Sequence, residues 1–180
     1  FASHDNPDIV FCGIGDYLTK ESLAAISILR KILPNVRVRF VNIIELTALG
    51  IGRSQHPLSR SEFEQYFTAD KPVIVNFHGY PTIVEHALFR LRDPKWIAVN
   101  GYRDQGSTTT PFDMQTRNGT SRYHLVLQTL NCLKARGVVP VQQAETLAAE
   151  FKQKLVDHKA YVIAYGEDPV DITHWQWDTI

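Results

Sequence analysis

The sequence predicts a three-layer α/β/α domain built around a mostly parallel sheet, and three observations carry that reading. Short apolar runs of strand length alternate with longer segments of helical periodicity. The first run, "PDIVFCGIG" at residues 7–15, is followed by a helical pattern and then a second strand, the order of a βαβ unit. The 180 residues, 44% of them hydrophobic, are enough to bury one substantial core, which points to a single domain.

Taken in order, "DIVFCGI" reads as a strand buried on both faces, because its apolar run is unbroken and bounded by proline and glycine. Thr19 is placed to cap the helix that follows, with Glu21 in the first turn. Ala25, Ile28, Leu29 and Ile32 form its inner face before Leu33-Pro34 ends it. "VRVRFV" alternates Val36, Val38 and Phe40 with two arginines, as a strand with one wet face or at a sheet edge would. Ser59 and Glu62 have capping-box spacing, with Leu58 and Phe63 at the staple positions, so a helix starts there with Phe63, Tyr66 and Phe67 facing inward. "PVIVNFH" is a third strand with a Val73-Ile74-Val75 core, Pro81 opens the next helix, and "KWIAVNGY" is a fourth strand by composition. Tyr123, Val126, Leu127 and Leu130 then make a helical stripe ending near Gly137. Ala144, Leu147, Ala148, Phe151 and Leu155 make another that reaches towards Gly166. The tail "EDPVDITHWQWDTI" carries two tryptophans that should dock onto the domain.

Composition removes several functions. The 19 basic and 19 acidic residues cancel without a block of like charge, which argues against nucleic acid and membrane surfaces as partners. No apolar run reaches the roughly 18 residues that span a bilayer, and no signal-peptide pattern opens the chain, so a cytoplasmic location is expected. Cys12 and Cys132 lack metal-ligand or CxxC spacing and read as core residues. Asn118-Gly119-Thr120 matches a glycosylation sequon but reads better as a turn before a helix cap. The chain opens "FASHDNPD" and its one methionine is Met114, as expected of a piece of a longer product.

Sharper chemistry meets blander alternatives. Gly13-Ile14-Gly15 suggests a dinucleotide turn, but Leu18 stands at the third glycine position and Asn42 where an acid would end the second strand. No GxxxxGK[ST] loop and no GxSxG elbow exists, which leaves Ser107 a poor nucleophile. His78 and His86 lack a third zinc ligand, and His124 reads as a partly buried structural histidine. His78 in "FHGYP" follows a buried strand, where ligands gather in parallel sheets. The stretch "GYRDQGSTTTPFDM" could hold phosphate through hydroxyls, amides and Arg103, or dock against a neighbour through Pro111 and Phe112.

"KPVIVNFHGYP", "GYRDQGSTTTPFDM" and "SRYHLV", with "YGEDP" and the final tryptophans, together resemble the C-terminal domain of the xylulose 5-phosphate/fructose 6-phosphate phosphoketolases over nearly the whole chain. Departures are local: Thr82 stands where the family commonly has tryptophan, Ser107 where it has threonine, and Tyr123 where it has phenylalanine. The resemblance implies a parent enzyme that uses thiamine diphosphate and magnesium to cleave a ketose phosphate with phosphate, giving acetyl phosphate and an aldose phosphate. It implies that the cofactor sits between N-terminal and middle domains of paired subunits, and that this chain, lacking their motifs, binds no cofactor and is a noncatalytic structural or interaction domain. It also implies the transketolase C-terminal fold, a mixed five-stranded sheet whose antiparallel member would be "KWIAVNGY". The runner-up is a free-standing α/β module that binds a phosphorylated metabolite or nucleotide. His78, Gly79, Tyr80, Arg103, Thr108, Thr109, Thr110 and Phe112 are the candidate docking or ligand-contact residues. Asp104 separates Arg103 from the threonines and would repel an anion, which favours docking.

Overall fold

The computed structural model describes residues 2–53, 55–88, 91, 96–103 and 108–177. Strands β1 (Ile9–Ile14), β2 (Val38–Asn42), β3 (Val73–Phe77) and β4 (Ile97–Asn100) form a sheet in the order β2-β1-β3-β4, with every neighbouring pair parallel. The central β1 is buried along its whole length, and its alternating side chains feed two cores. Ile9 and Phe11 meet Ala25, Ile26 and Leu29 of α1 (Asp16–Ile32) and Leu125, Val126 and Leu130 of α5 (Arg122–Ala135). Val10, Cys12 and Ile14 face Phe63 and Phe67 of α2 (Arg60–Phe67) and Val84 and Leu88 of α3 (Pro81–Leu88). Helices therefore cover both faces of the sheet, as the apolar runs require.

Four details depart from the sequence reading. β4 runs parallel to β3, with Val73 beside Ile97, and is not the antiparallel member. The segment between them carries α3 and returns the chain to the start of the next strand, whereas an antiparallel partner would follow from a hairpin. The described residues hold four strands where five were expected. The antiparallel element is a lone bridge between Ser3 and Arg39 at the β2 edge, where Phe40 N–H donates to Ala2 O at 2.8 Å. Thr19 does not cap α1: Gly15, at φ 90°, turns the chain directly from strand into helix, and Thr19 N–H donates to Gly15 O from within the first turn. Tyr66 is 52% exposed, because the short α2 buries only the i, i+4 pair Phe63 and Phe67, whose rings stack at 4.4 Å.

One helix was not expected, and another runs the full length its pattern reached towards. Thr110 caps α4 (Pro111–Asn118), with Pro111 at its first position and the Asp113 N–H donating to the Thr110 hydroxyl, so the second half of "GYRDQGSTTTPFDM" is a helix start and not a loop. The helix α6 (Val141–Tyr165) runs unbroken to Gly166 and packs on α5 and α4, which makes it an outer fourth layer rather than a cover for the sheet. A short α7 (Val170–Thr173) precedes the tail. Trp175 and Trp177 are both half-buried, with the Arg122 guanidinium 5.5 Å from the first ring and Arg30 5.0 Å from the second. Among the described residues no helix is long and apolar enough to cross a membrane.

Candidate functional site

The chain leaves β1 towards β2 and crosses back to β3, so the ends of β1 and β3 form the switch point where open parallel sheets hold ligands. Here the chain's own side chain closes that crevice. His78 N–H donates to Ile14 O at 2.9 Å, and a β-carbon built on Gly15 would stand 2.5 Å from that of His78. The His78 ring lies 5.1 Å from that of Tyr102. Tyr102 N–H donates to Gly79 O at 2.8 Å, and Gly101 is pressed against that carbonyl and Pro81, with no room for a side chain. The glycines of Gly13-Ile14-Gly15 thus serve close packing; Gly13 lies against Thr19 and the Phe40 ring. The outer surface of this crest is His78, Tyr80, which is 54% exposed, and Arg103, whose backbone N–H donates to Asn118 Oδ1 at 2.6 Å.

Thr110 and Phe112 are used differently. The Asp168 carboxylate, buried beyond the end of α6, seats itself on the N-terminus of α4. Thr110 Oγ1 donates to Asp168 Oδ1 at 2.6 Å, Phe112 N–H donates to Asp168 Oδ2 at 2.8 Å, and His158 Nε2 lies 3.1 Å from Oδ1. A helix N-terminus offers unpaired N–H groups and positive potential to an anion, and here a carboxylate of the same chain takes that position. Thr109 Oγ1 donates to Asp113 Oδ2 at 2.6 Å. Burial alone would raise the Asp113 carboxyl, but Thr109, Arg117 and Thr116 together hold it below the usual carboxylate range. Phe112 is fully buried, edge-on to His158 and Tyr123 at 4.8 and 5.7 Å.

Beneath these contacts lies a buried ion pair. Glu21 Oε1 receives Arg122 Nη2 at 2.7 Å and Oε2 receives Arg122 Nε at 3.0 Å, with Arg122 N–H also donating to Oε2. The bidentate geometry ties α1 to the start of α5, and the guanidinium carbon sits 5.3 Å from the Phe112 ring. Burial first, then the nearby Glu21 and Asp168 carboxylates, push the Tyr17 hydroxyl up to about 12, so it remains a neutral phenol.

The predicted residues therefore divide. His78, Gly79, Tyr80 and Arg103 gather at the crest, Thr109, Thr110 and Phe112 lock onto the domain's interior, and Thr108 is exposed. Gln115 bridges the groups, its Nε2 donating to the Tyr102 hydroxyl at 3.2 Å. Asp104, Gly106 and Ser107, and the readings that fell on them, lie outside the described residues. Sequence reasoning missed Asp168, His158 and the partnership of Glu21 with Arg122. Separations of 56 and 101 residues leave no local pattern to find them by. A magnesium-bound diphosphate does not fit these residues: among those described, no three His, Cys, Asp or Glu side chains group to hold a metal, and Asp168 fills the α4 N-terminus.

Residues 1–177 match the sequence profile of the XFP C-terminal domain. A protein of Nostoc sp. named "Probable phosphoketolase 2" is 39% identical over 182 residues, which cover 98% of this chain and 22% of that protein. Proteins named "Probable phosphoketolase" from Chlorobaculum tepidum and Nitrosomonas europaea are 37% and 40% identical over 179 and 182 residues, again covering 98% of this chain and 22% of theirs. The chain thus spans only 22% of the length of these curated relatives. It belongs to the XFP C-terminal domain family, the C-terminal domain of phosphoketolases.

Proposed function

We propose that this chain is the structural and docking domain of a longer thiamine diphosphate-dependent phosphoketolase, located in the cytoplasm. The parent enzyme cleaves xylulose 5-phosphate or fructose 6-phosphate with inorganic phosphate to acetyl phosphate and an aldose phosphate. Thiamine diphosphate, with magnesium, supplies the carbanion chemistry from N-terminal and middle domains of paired subunits. This domain contributes shape. The observation that carries the reading is the Asp168 carboxylate on the α4 N-terminus, because the Thr110 hydroxyl and the Phe112 N–H, donors that a phosphate there would need, are already paired inside the domain. The crest is left to meet the catalytic domains, with Tyr80 exposed beside His78 and Arg103.

The test has two parts. The purified chain, given xylulose 5-phosphate, phosphate, thiamine diphosphate and magnesium, should form no acetyl phosphate, while the full-length protein does. In the full-length protein Arg103→Ala should leave the KM for the ketose phosphate nearly unchanged. Acetyl phosphate made by the chain alone, or a large rise in KM with fold and assembly intact, would overturn the reading.

A further inference from the structure

Away from Asp168, a groove runs between the end of α4, the first turn of α5 and the middle of α6, lined by Asp113, Thr116, Arg117, His124, Leu155 and Lys159. Its polar groups sit on three helices packed against one another, so their backbone positions are fixed before any ligand arrives. The one carboxylate there is already engaged. Asp113 Oδ2 receives Thr109 Oγ1 and Arg117 Nε, and Thr116 Oγ1 approaches Oδ1 at 3.3 Å. Arg117 commits only Nε to this pair, leaving its terminal nitrogens on a side chain that is 49% exposed. Lys159 is exposed and its ammonium has no hydrogen-bond or ion-pair partner among the described residues. His124 Nδ1 lies 2.8 Å from the Ser121 hydroxyl, which leaves Nε2 as its second ring nitrogen. Burial holds the imidazole below its usual pKa, and in the tautomer in which the Ser121 hydroxyl donates to Nδ1, Nε2 carries the proton and is a donor.

We propose that this groove binds a phosphoryl group, with the Arg117 guanidinium, the Lys159 ammonium and the His124 Nε2–H as its donors. A planar fork, a point charge and an imidazole N–H from three separate helices suit a tetrahedral dianion, which accepts from several directions, better than a planar carboxylate. Leu155 supplies an apolar wall for the carbon part of a phosphate monoester. The inference stands apart from the proposed function, since it rests on the groove alone.

Inorganic phosphate and fructose 6-phosphate provide the two arms of the test, with sodium chloride at matched ionic strength as the control. Each is titrated into the isotope-labelled 180-residue chain while backbone amide shifts are followed. Saturable shifts confined to residues 113–124 and 155–159 are expected. Tighter binding of the ester would identify a phosphorylated metabolite as the source, and equal binding would identify free phosphate. Lys159→Ala should weaken the affinity about tenfold, the loss of one charge-assisted contact, and Lys159→Arg should restore most of it. Because Lys159 is exposed, both variants should fold, and their unchanged spectra elsewhere check this. Absence of saturable shifts, shifts reproduced by chloride, or an affinity indifferent to Lys159→Ala would overturn the proposal.

Discussion

The crest at the carboxyl edge of the sheet and the clasp around Asp168 are built from the same kinds of residue but serve opposite ends. Both carry aromatic rings, hydroxyls and a basic side chain within a few residues of a turn. In the clasp most polar groups meet a partner inside the chain: Thr110, the Phe112 N–H and His158 Nε2 reach Asp168, Thr109 reaches Asp113, and Arg122 reaches Glu21, while His158 Nδ1 is a buried exception. At the crest, His78, Tyr80 and Arg103 remain at the surface. Burial separates the two. A polar group withdrawn from water costs free energy unless it is paired, so the clasp is fixed by its own pairings, while the crest is free to pair elsewhere.

That contrast breaks first at the ion pair. Glu21→Ala strands the buried Arg122 charge and should cost about 4 kcal/mol, enough to unfold a marginal domain; chemical denaturation of the chain measures it. A loss near that of an exposed pair would show that water reaches Arg122. Phe112→Ala should cost about 3 kcal/mol through the cavity it leaves against Tyr123 and His158, read by the same denaturation midpoint. Asp168→Asn faces an amide towards donors that need an acceptor and should cost about 2 kcal/mol, with fraying of the α4 N-terminus seen by hydrogen exchange.

A smaller effect depends on pH. His124 has a folded pKa below its unfolded value of 6.5, so the unfolded chain binds more protons as pH falls through that value. Stability should therefore be full above about pH 6.5 and decline as the pH drops towards the folded pKa, and His124→Gln should flatten that slope in thermal melts. The smallest effect on stability belongs to the crest. Tyr80→Ala should change the chain's own stability by no more than about 0.5 kcal/mol, yet weaken assembly of the full-length protein in sedimentation. Equal losses from Tyr80→Ala and Phe112→Ala in the isolated chain would erase the distinction between the regions.

Much of this was written into local sequence. Short apolar runs at residues 9–12 and 73–75, bounded by turn residues or a charge, place the buried strands, because a strand covered on both faces is apolar at successive positions. The Ser59 and Glu62 capping box and the Gly166 stop follow from groups within a turn of one another. Even α4 had its signal in Thr110-Pro111, overshadowed by the loop-like composition before it. What the sequence could not determine is every pairing across long separations. Parallel β4, exposed Tyr66, Glu21 beneath Arg122 and Asp168 on a helix that begins 57 positions earlier depend on which surfaces meet once the layers pack. Periodicity encodes which face of an element turns inward; only the assembled core decides what that face, or a charge buried with it, will find there.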